Sequence, residues 1–182
     1  FLTLLYPEET KAQTAAASRD GLQNQIDNYQ RAFLQGIREN LRADERLDVV
    51  NSLPVGVFPF RYRKLWLHGG KRQGGVRELP GLNLPWFKQK FREWGATGEI
   101  LRWAKQSAAN RTLLVYTIYE PYMKAIRRAK RRFPDLKAAV IVTDLPNQWG
   151  LASYRKGLMK TIEYAMGRKK LRLSGVFDGY VL

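Results

Sequence analysis

Apolar residues along this chain alternate between two kinds of pattern. Short continuous runs read as buried strands, and longer stretches with a period near four read as amphipathic helices. Phe1–Tyr6 opens as a strand, followed by a polar loop to Asp20. A helix begins at Gly21, with Leu22, Ile26, Tyr29, Phe33, Ile37 and Leu41 along one stripe and Asp20 placed to cap it. Asp48–Asn51 is a short strand. Between 52 and 85, Pro54, Pro59, Pro80, Pro85 and paired glycines exclude a long helix and leave short strands at Leu65–Leu67 and Gly75–Leu79. From Trp86 the spacing is helical, with Phe87, Phe91 and Trp94 as the stripe. Gly95 and Gly98 are expected to interrupt it before a second helix near Ile100.

The second half repeats the alternation. Thr112–Tyr119 is a buried strand. Pro121 opens a helix that runs into Arg127–Arg132, since proline suits a helix start. Ala138–Val142 is another buried strand, a helix carries Tyr154, Leu158, Ile162 and Met166, and Gly179–Leu182 closes as a strand. Continuously apolar strands alternating with helices imply a parallel sheet covered on both faces. The expected fold is therefore α/β, a Rossmann-like three-layer domain with a mostly parallel sheet. At 182 residues it reads as one domain, 1–182. Both ends stop in apolar runs, so the chain is expected to be a piece of a larger protein.

Composition narrows the chemistry. With no cysteine, disulfides and thiolate-bound zinc are excluded. No apolar run reaches the length of a spanning helix. The 32 Lys and Arg outnumber 16 Asp and Glu, for a net charge of +16. The excess is segregated: residues 1–50 carry −2, 51–119 carry +9 and 120–172 carry +10. Such a distribution implies an anionic partner: nucleic acid, anionic lipid or a phosphorylated substrate.

Ligands in such sheets sit beyond the C-terminal strand ends. That rule selects the loop after Tyr6, the Asn51–Pro54 turn, Tyr119-Glu120-Pro121 and Thr143-Asp144-Leu145-Pro146. Asp144 at a strand tip either orients a hydroxyl or acts as a base, or else caps a turn. Gly21 begins a helix whose N-terminus attracts an anion, yet no glycine-rich phosphate motif accompanies it, which favours a plain helix start. Glu120 is either a functional acid or a first-turn complement to the helix dipole, the second being the safer reading. His68, the single histidine, supports neither a triad nor a metal cluster. The basic helix near 153–166, with Arg168, Lys169, Lys170 and Arg172 following, either packs its apolar stripe on the sheet or lies on an anionic membrane.

Four pieces in order resemble the N-terminal domain of bacterial GT-B glycosyltransferases of the retaining family 4 kind: Gly21-Leu22-Gln23-Asn24-Gln25 with Phe33, the strand ending Tyr116–Pro121, the strand ending Val142–Pro146, and Val176–Leu182. The resemblance implies one half of a two-domain cleft, with the donor-binding domain absent, since no two Glu show the seven-residue separation of that half. It implies transfer of a sugar from a nucleotide-sugar to a glycan or lipid-linked acceptor hydroxyl, with no bound metal and no cofactor beyond the co-substrate. Asp144 carries over as the catalytic position, Thr143, Tyr119 and Glu120 as acceptor-binding, and Gly21 and Asn24 as facing the donor phosphates. Many relatives carry histidine where Thr143 stands, a departure that puts a histidine-assisted role in doubt. The implied setting is cytoplasmic, peripheral on the inner face of the plasma membrane. The rival is a basic nucleic-acid-binding α/β protein, for which charge and interleaved aromatics speak but no binding motif does.

Overall fold

The computed structural model describes residues 1–4, 21–59, 62–71, 75–106, 111–142 and 167–181. The chain order is β1 (Leu2–Thr3), α1 (Gly21–Glu39), β2 (Val49–Asn51), β3 (Trp66–Leu67), β4 (Gly70–Lys71), β5 (Val76–Glu78), β6 (Gly81–Leu82), α2 (Phe87–Gln106), β7 (Thr112–Tyr116), α3 (Glu120–Arg132), β8 (Lys137–Ile141), a helical segment α4 over 167–174, and β9 (Gly179–Val181).

Seven strands form one sheet in the order β4-β5-β2-β1-β7-β8-β9. All neighbours run parallel except β4, which joins β5 antiparallel at the edge. Counting the six parallel strands in chain order gives 3-2-1-4-5-6, the order of a doubly wound nucleotide-binding sheet. β3 and β6 form a separate antiparallel ribbon, and between β3 and β4 only glycine fits at 69, because a Cβ there would lie 2.6 Å from a ring carbon of Pro80.

The two faces of the sheet are read from its alternation, because successive side chains point to opposite sides. Leu2, Leu113, Val115, Ala138 and Val140 join one core with Ala96 and Ile100 of α2, Tyr122 and Ile126 of α3, and Leu173 of α4. Phe1, Val49, Tyr116 and Ile141 join the other with Leu34 of α1. Helices thus cover both faces, and the domain has three layers.

Three local expectations are corrected. The strand read as Thr112–Tyr119 ends at Tyr116, because Thr117 turns to φ 72°, out of extended geometry. Gly95 and Gly98 do not divide the second helix. Each costs only about 1 kcal/mol of propensity, and Gly95 rests against Leu79, so tertiary packing carries α2 through them. In α1 the buried stripe passes through Gln30 and Leu34, while Tyr29 is 71% exposed. Asp20 and the 153–166 helix lie outside the described residues.

Candidate functional site at the C-terminal edge of the sheet

Strand order reverses between β1 and β7, so a crevice opens beyond their C-terminal ends. β1 ends there with a polar anchor from α1. The Thr3 hydroxyl donates to Gln30 Oε1, Leu4 N–H donates to the same oxygen at 3.3 Å, and Gln30 Nε2 donates back to the Leu4 carbonyl at 3.2 Å. Phe33 meets Phe1 at the other end of the strand. α1 therefore runs antiparallel to β1, and Gly21, about two and a half turns before Gln30, lies beyond the strand tips. The floor is closed by Tyr122, whose hydroxyl donates to the Thr3 carbonyl at 2.7 Å and whose complete burial pushes its pKa well above the ordinary phenol value.

The tip of β7 carries most of the chemistry. Thr117 sits in the left-handed region, a strained place for a β-branched residue. Tyr119 then caps α3 in extended conformation, with no side-chain cap bond. Its hydroxyl accepts from Arg92 Nη1 at 2.6 Å and donates to Gln89 Oε1 at 2.8 Å, and its ring meets Tyr122 edge-on at 5.1 Å. Burial pushes the Tyr119 hydroxyl above its ordinary value, only partly opposed by the Arg92 charge and by the Arg92 and Gln89 hydrogen bonds. Arg92 also donates to the Leu53 carbonyl, and Lys88 donates to the carbonyls of Val55 and, at 3.3 Å, Gly56. Two buried cations thus pin the loop after β2. Burial, and then the Arg92 charge, lower Lys88 to about 8.

Glu120 opens α3 and pairs with Lys124 at 2.7 Å and with Lys169 of α4 at 2.9 Å. Partial burial raises its carboxyl, but the two lysines outweigh that and hold it below its ordinary value. An ionised carboxylate held this way is a poor general base at neutral pH and a good hydrogen-bond acceptor. Nearby, Glu93 is buried against Arg128 at 2.8 Å, tying α2 to α3.

Of the residues singled out from sequence, Tyr119 and Glu120 stand together at this rim. Gly21 opens a helix whose N-terminus lies on the same side of the sheet, with Asn24 in its first turns. Thr143 and Asp144 lie outside the described residues, two and three positions beyond β8, whose C-terminal end is at the same edge as β7's. Asp178, part of the matched closing segment, has a structural part: it accepts from Ala138 N–H at 2.7 Å and from Lys130 at 2.6 Å. His68 is exposed, and no metal-binding cluster of carboxylates or histidine occurs among the described residues.

Sequence reasoning missed Gln30, Lys88, Arg92 and Thr117. One signal is present in the sequence: Lys88 and Arg92, at i and i+4, share a helix side next to the aromatic stripe rather than lying on it. Charges at such spacing ordinarily mark a solvated face. A groove of about 590 Å³ lies at the opposite edge among Phe1, Asp48, Gly75 and Leu113, where strands begin. It is bordered by the Arg77–Glu99–Arg102 ion pairs. No family model, curated protein or solved structure matches this chain.

Proposed function

We propose that this chain is the N-terminal, acceptor-side domain of a retaining GT-B glycosyltransferase, acting in polysaccharide or glycolipid synthesis. The observation that supports it best is convergence. Tyr119, Glu120, the N-terminus of α1 and the chain leading to Thr143 and Asp144 all belong to one sheet edge, at the switch point of a 3-2-1-4-5-6 sheet.

In this reading the acceptor sugar lies along the β7 tip. The ionised Glu120 accepts hydrogen bonds from its hydroxyls, and the Arg92–Tyr119–Gln89 chain keeps the rim rigid. In this reading Asp144 orients the reacting hydroxyl. The bond from the donor's anomeric carbon to the diphosphate oxygen breaks, the acceptor oxygen takes that carbon, and its proton leaves with the departing diphosphate. The positive end of α1 faces that departing charge through Gly21 and Asn24. The donor is held mainly by a second domain, and closure of the two supplies proximity and excludes water. The basic excess keeps the protein peripheral on an anionic membrane leaflet, where a lipid-linked acceptor resides.

The test is an NMR titration of this chain with a water-soluble, short-chain polyprenyl-diphosphate glycan. Shifts centred on Thr117, Tyr119 and Glu120, weakened by Glu120→Gln, are expected. Shifts centred on the groove at the opposite edge, or saturable turnover of a nucleotide-sugar by this chain alone, would overturn the acceptor-domain reading.

A further inference from the structure

In its first half, α2 is inside out. Lys88, Arg92 and Glu93 are buried, whereas Phe87 is 56% and Trp94 55% exposed. At i, i+4 and i+7, Phe87, Phe91 and Trp94 share one side of the helix, and the rings of Phe91 and Trp94 meet at 5.7 Å. Trp86, just before the helix, is 90% exposed. Its φ of 61° places a bulky residue in the left-handed region, a strained backbone that turns the ring to water. Single apolar side chains scatter over any surface, but four aromatics within nine residues form a patch that needs a cause.

We infer that the outward face of α2, led by Trp86, Phe87 and Trp94, is a docking surface for an anionic lipid interface. Charge decides the occupant. Lys90 and Lys105 are exposed on the same side of α2 as the aromatics. Both acids of the helix are buried or paired inward. Glu93, 4% exposed at its side chain, holds Arg128 at 2.8 Å, with Lys90 at 3.9 Å and Lys124 at 4.0 Å around it, and Glu99 pairs with Arg77 and Arg102. Among the described residues this leaves Lys105 as the unpaired outward cation and Lys90 as a weakly paired one. The face thus presents tryptophan, phenylalanine and lysine with no outward carboxylate, on a chain of net charge +16. Tryptophan rings settle at the headgroup level, phenylalanine reaches the acyl boundary, and lysines meet anionic headgroups. No described helix is long and apolar enough to cross a membrane, so α2 lies in the interfacial plane. Its inner face carries Arg92, which holds Tyr119, so docking the outer face sets the β7 rim about one helix thickness, roughly 10 Å, from the lipid surface. The inference rests on the proposed function only for the value of that closeness to a lipid-linked acceptor. The docking itself stands on the patch.

The test is co-sedimentation with vesicles of phosphatidylcholine alone or mixed equally with phosphatidylglycerol, in parallel with binding to a single-stranded oligonucleotide. The chain is expected to bind the mixed vesicles, and Trp86→Ser/Trp94→Ser to weaken that binding at least about tenfold with an unchanged melting temperature. Lys90→Glu/Lys105→Glu should weaken it several-fold, and Lys137→Glu, at the start of β8, should leave it unchanged. Equal vesicle binding by the double tryptophan variant overturns the α2 assignment and leaves a peripheral protein docked elsewhere. No vesicle binding by any form overturns both. If the tryptophan variant loses the oligonucleotide but not the vesicles, the face is a base-stacking platform and the lipid proposal falls. None of these outcomes bears on the acceptor titration.

Discussion

Helix α3 buries Tyr122, Met123, Ala125, Ile126 and Ala129 and turns Arg127, Arg128, Arg131 and Arg132 to water. Its neighbour α2 begins the other way round, with Lys88, Arg92 and Glu93 inside and Phe87 and Trp94 outside. The two pack against each other on the same face of the sheet. α3 follows the hydrophobic effect, and its basic last turn complements the helix dipole. The second half of α2 follows it too, through Ala96, Ile100 and Ala104. The inversion is confined to the turns that face the C-terminal sheet edge, where main-chain carbonyls of the 53–56 loop and the Tyr119 hydroxyl need donors. Buried charge therefore marks the rim of the candidate site, and exposed aromatic surface marks what must meet something outside the chain.

The contrast can be broken by substitution, and the largest effect belongs to α3. Ile126→Ala, at a fully buried position, should cost about 2–5 kcal/mol in denaturant unfolding, because transfer and cavity effects add. Arg92→Met should cost less, about 1–3 kcal/mol, by leaving the Leu53 carbonyl and the Tyr119 hydroxyl without their donor. A loss as large as that of Ile126→Ala would mean that the polar half of α2 holds the fold as firmly as the apolar core.

Lys88 sharpens the same comparison through pH. Its folded value, about 8, lies below its ordinary value of 10.5, so the unfolded chain binds the proton more tightly. The cost of burying the charge is fully present below pH 8 and is relieved as pH rises from 8 towards 10.5. Stability should rise across that window by roughly 3 kcal/mol relative to Lys88→Met. In Arg92→Met the like charge is gone, and the window should begin at higher pH. A flat difference between protein and variant across that range would deny the buried charge.

Smaller effects follow at the surface. Glu120→Gln should cost about 0.5 kcal/mol at neutral pH, since Lys169 is exposed and Lys124 and Glu120 are each partly so. The carboxyl is held below its ordinary 4.5, so this contribution is present above 4.5 and fades as pH falls below it; guanidinium melts at acidic and neutral pH would check this. Trp94→Ser should change stability by no more than about 0.5 kcal/mol. A larger loss would show that the ring belongs to the fold rather than to a docking face.

Much of the architecture was legible. β7, β8 and β9 are continuous apolar runs, and α3 announces itself by Pro121 and its basic tail. Tyr119 and Glu120 were legible as rim residues because they follow a strand in a sheet expected to be parallel. Gln30 was not, since it lies one position from Tyr29, and a helical period separates faces without saying which neighbour sits at the centre of the buried one. The inward placement of Lys88 and Arg92 was hidden for a related reason. Both faces of early α2 have a helical repeat, and the aromatic one is the more hydrophobic.

What the amino-acid order determines here is local: where strands and helices begin, the alternation that makes the sheet parallel, and the sign and segregation of charge. These follow from propensity, periodicity and composition, each felt within a few residues. The tertiary structure alone decides that β1 lies between β2 and β7, that the rim residues share one edge, and which side of α2 meets the protein. Those outcomes depend on which unsatisfied carbonyls and apolar surfaces arrive from distant parts of the chain, and burial favours whichever helix face satisfies them.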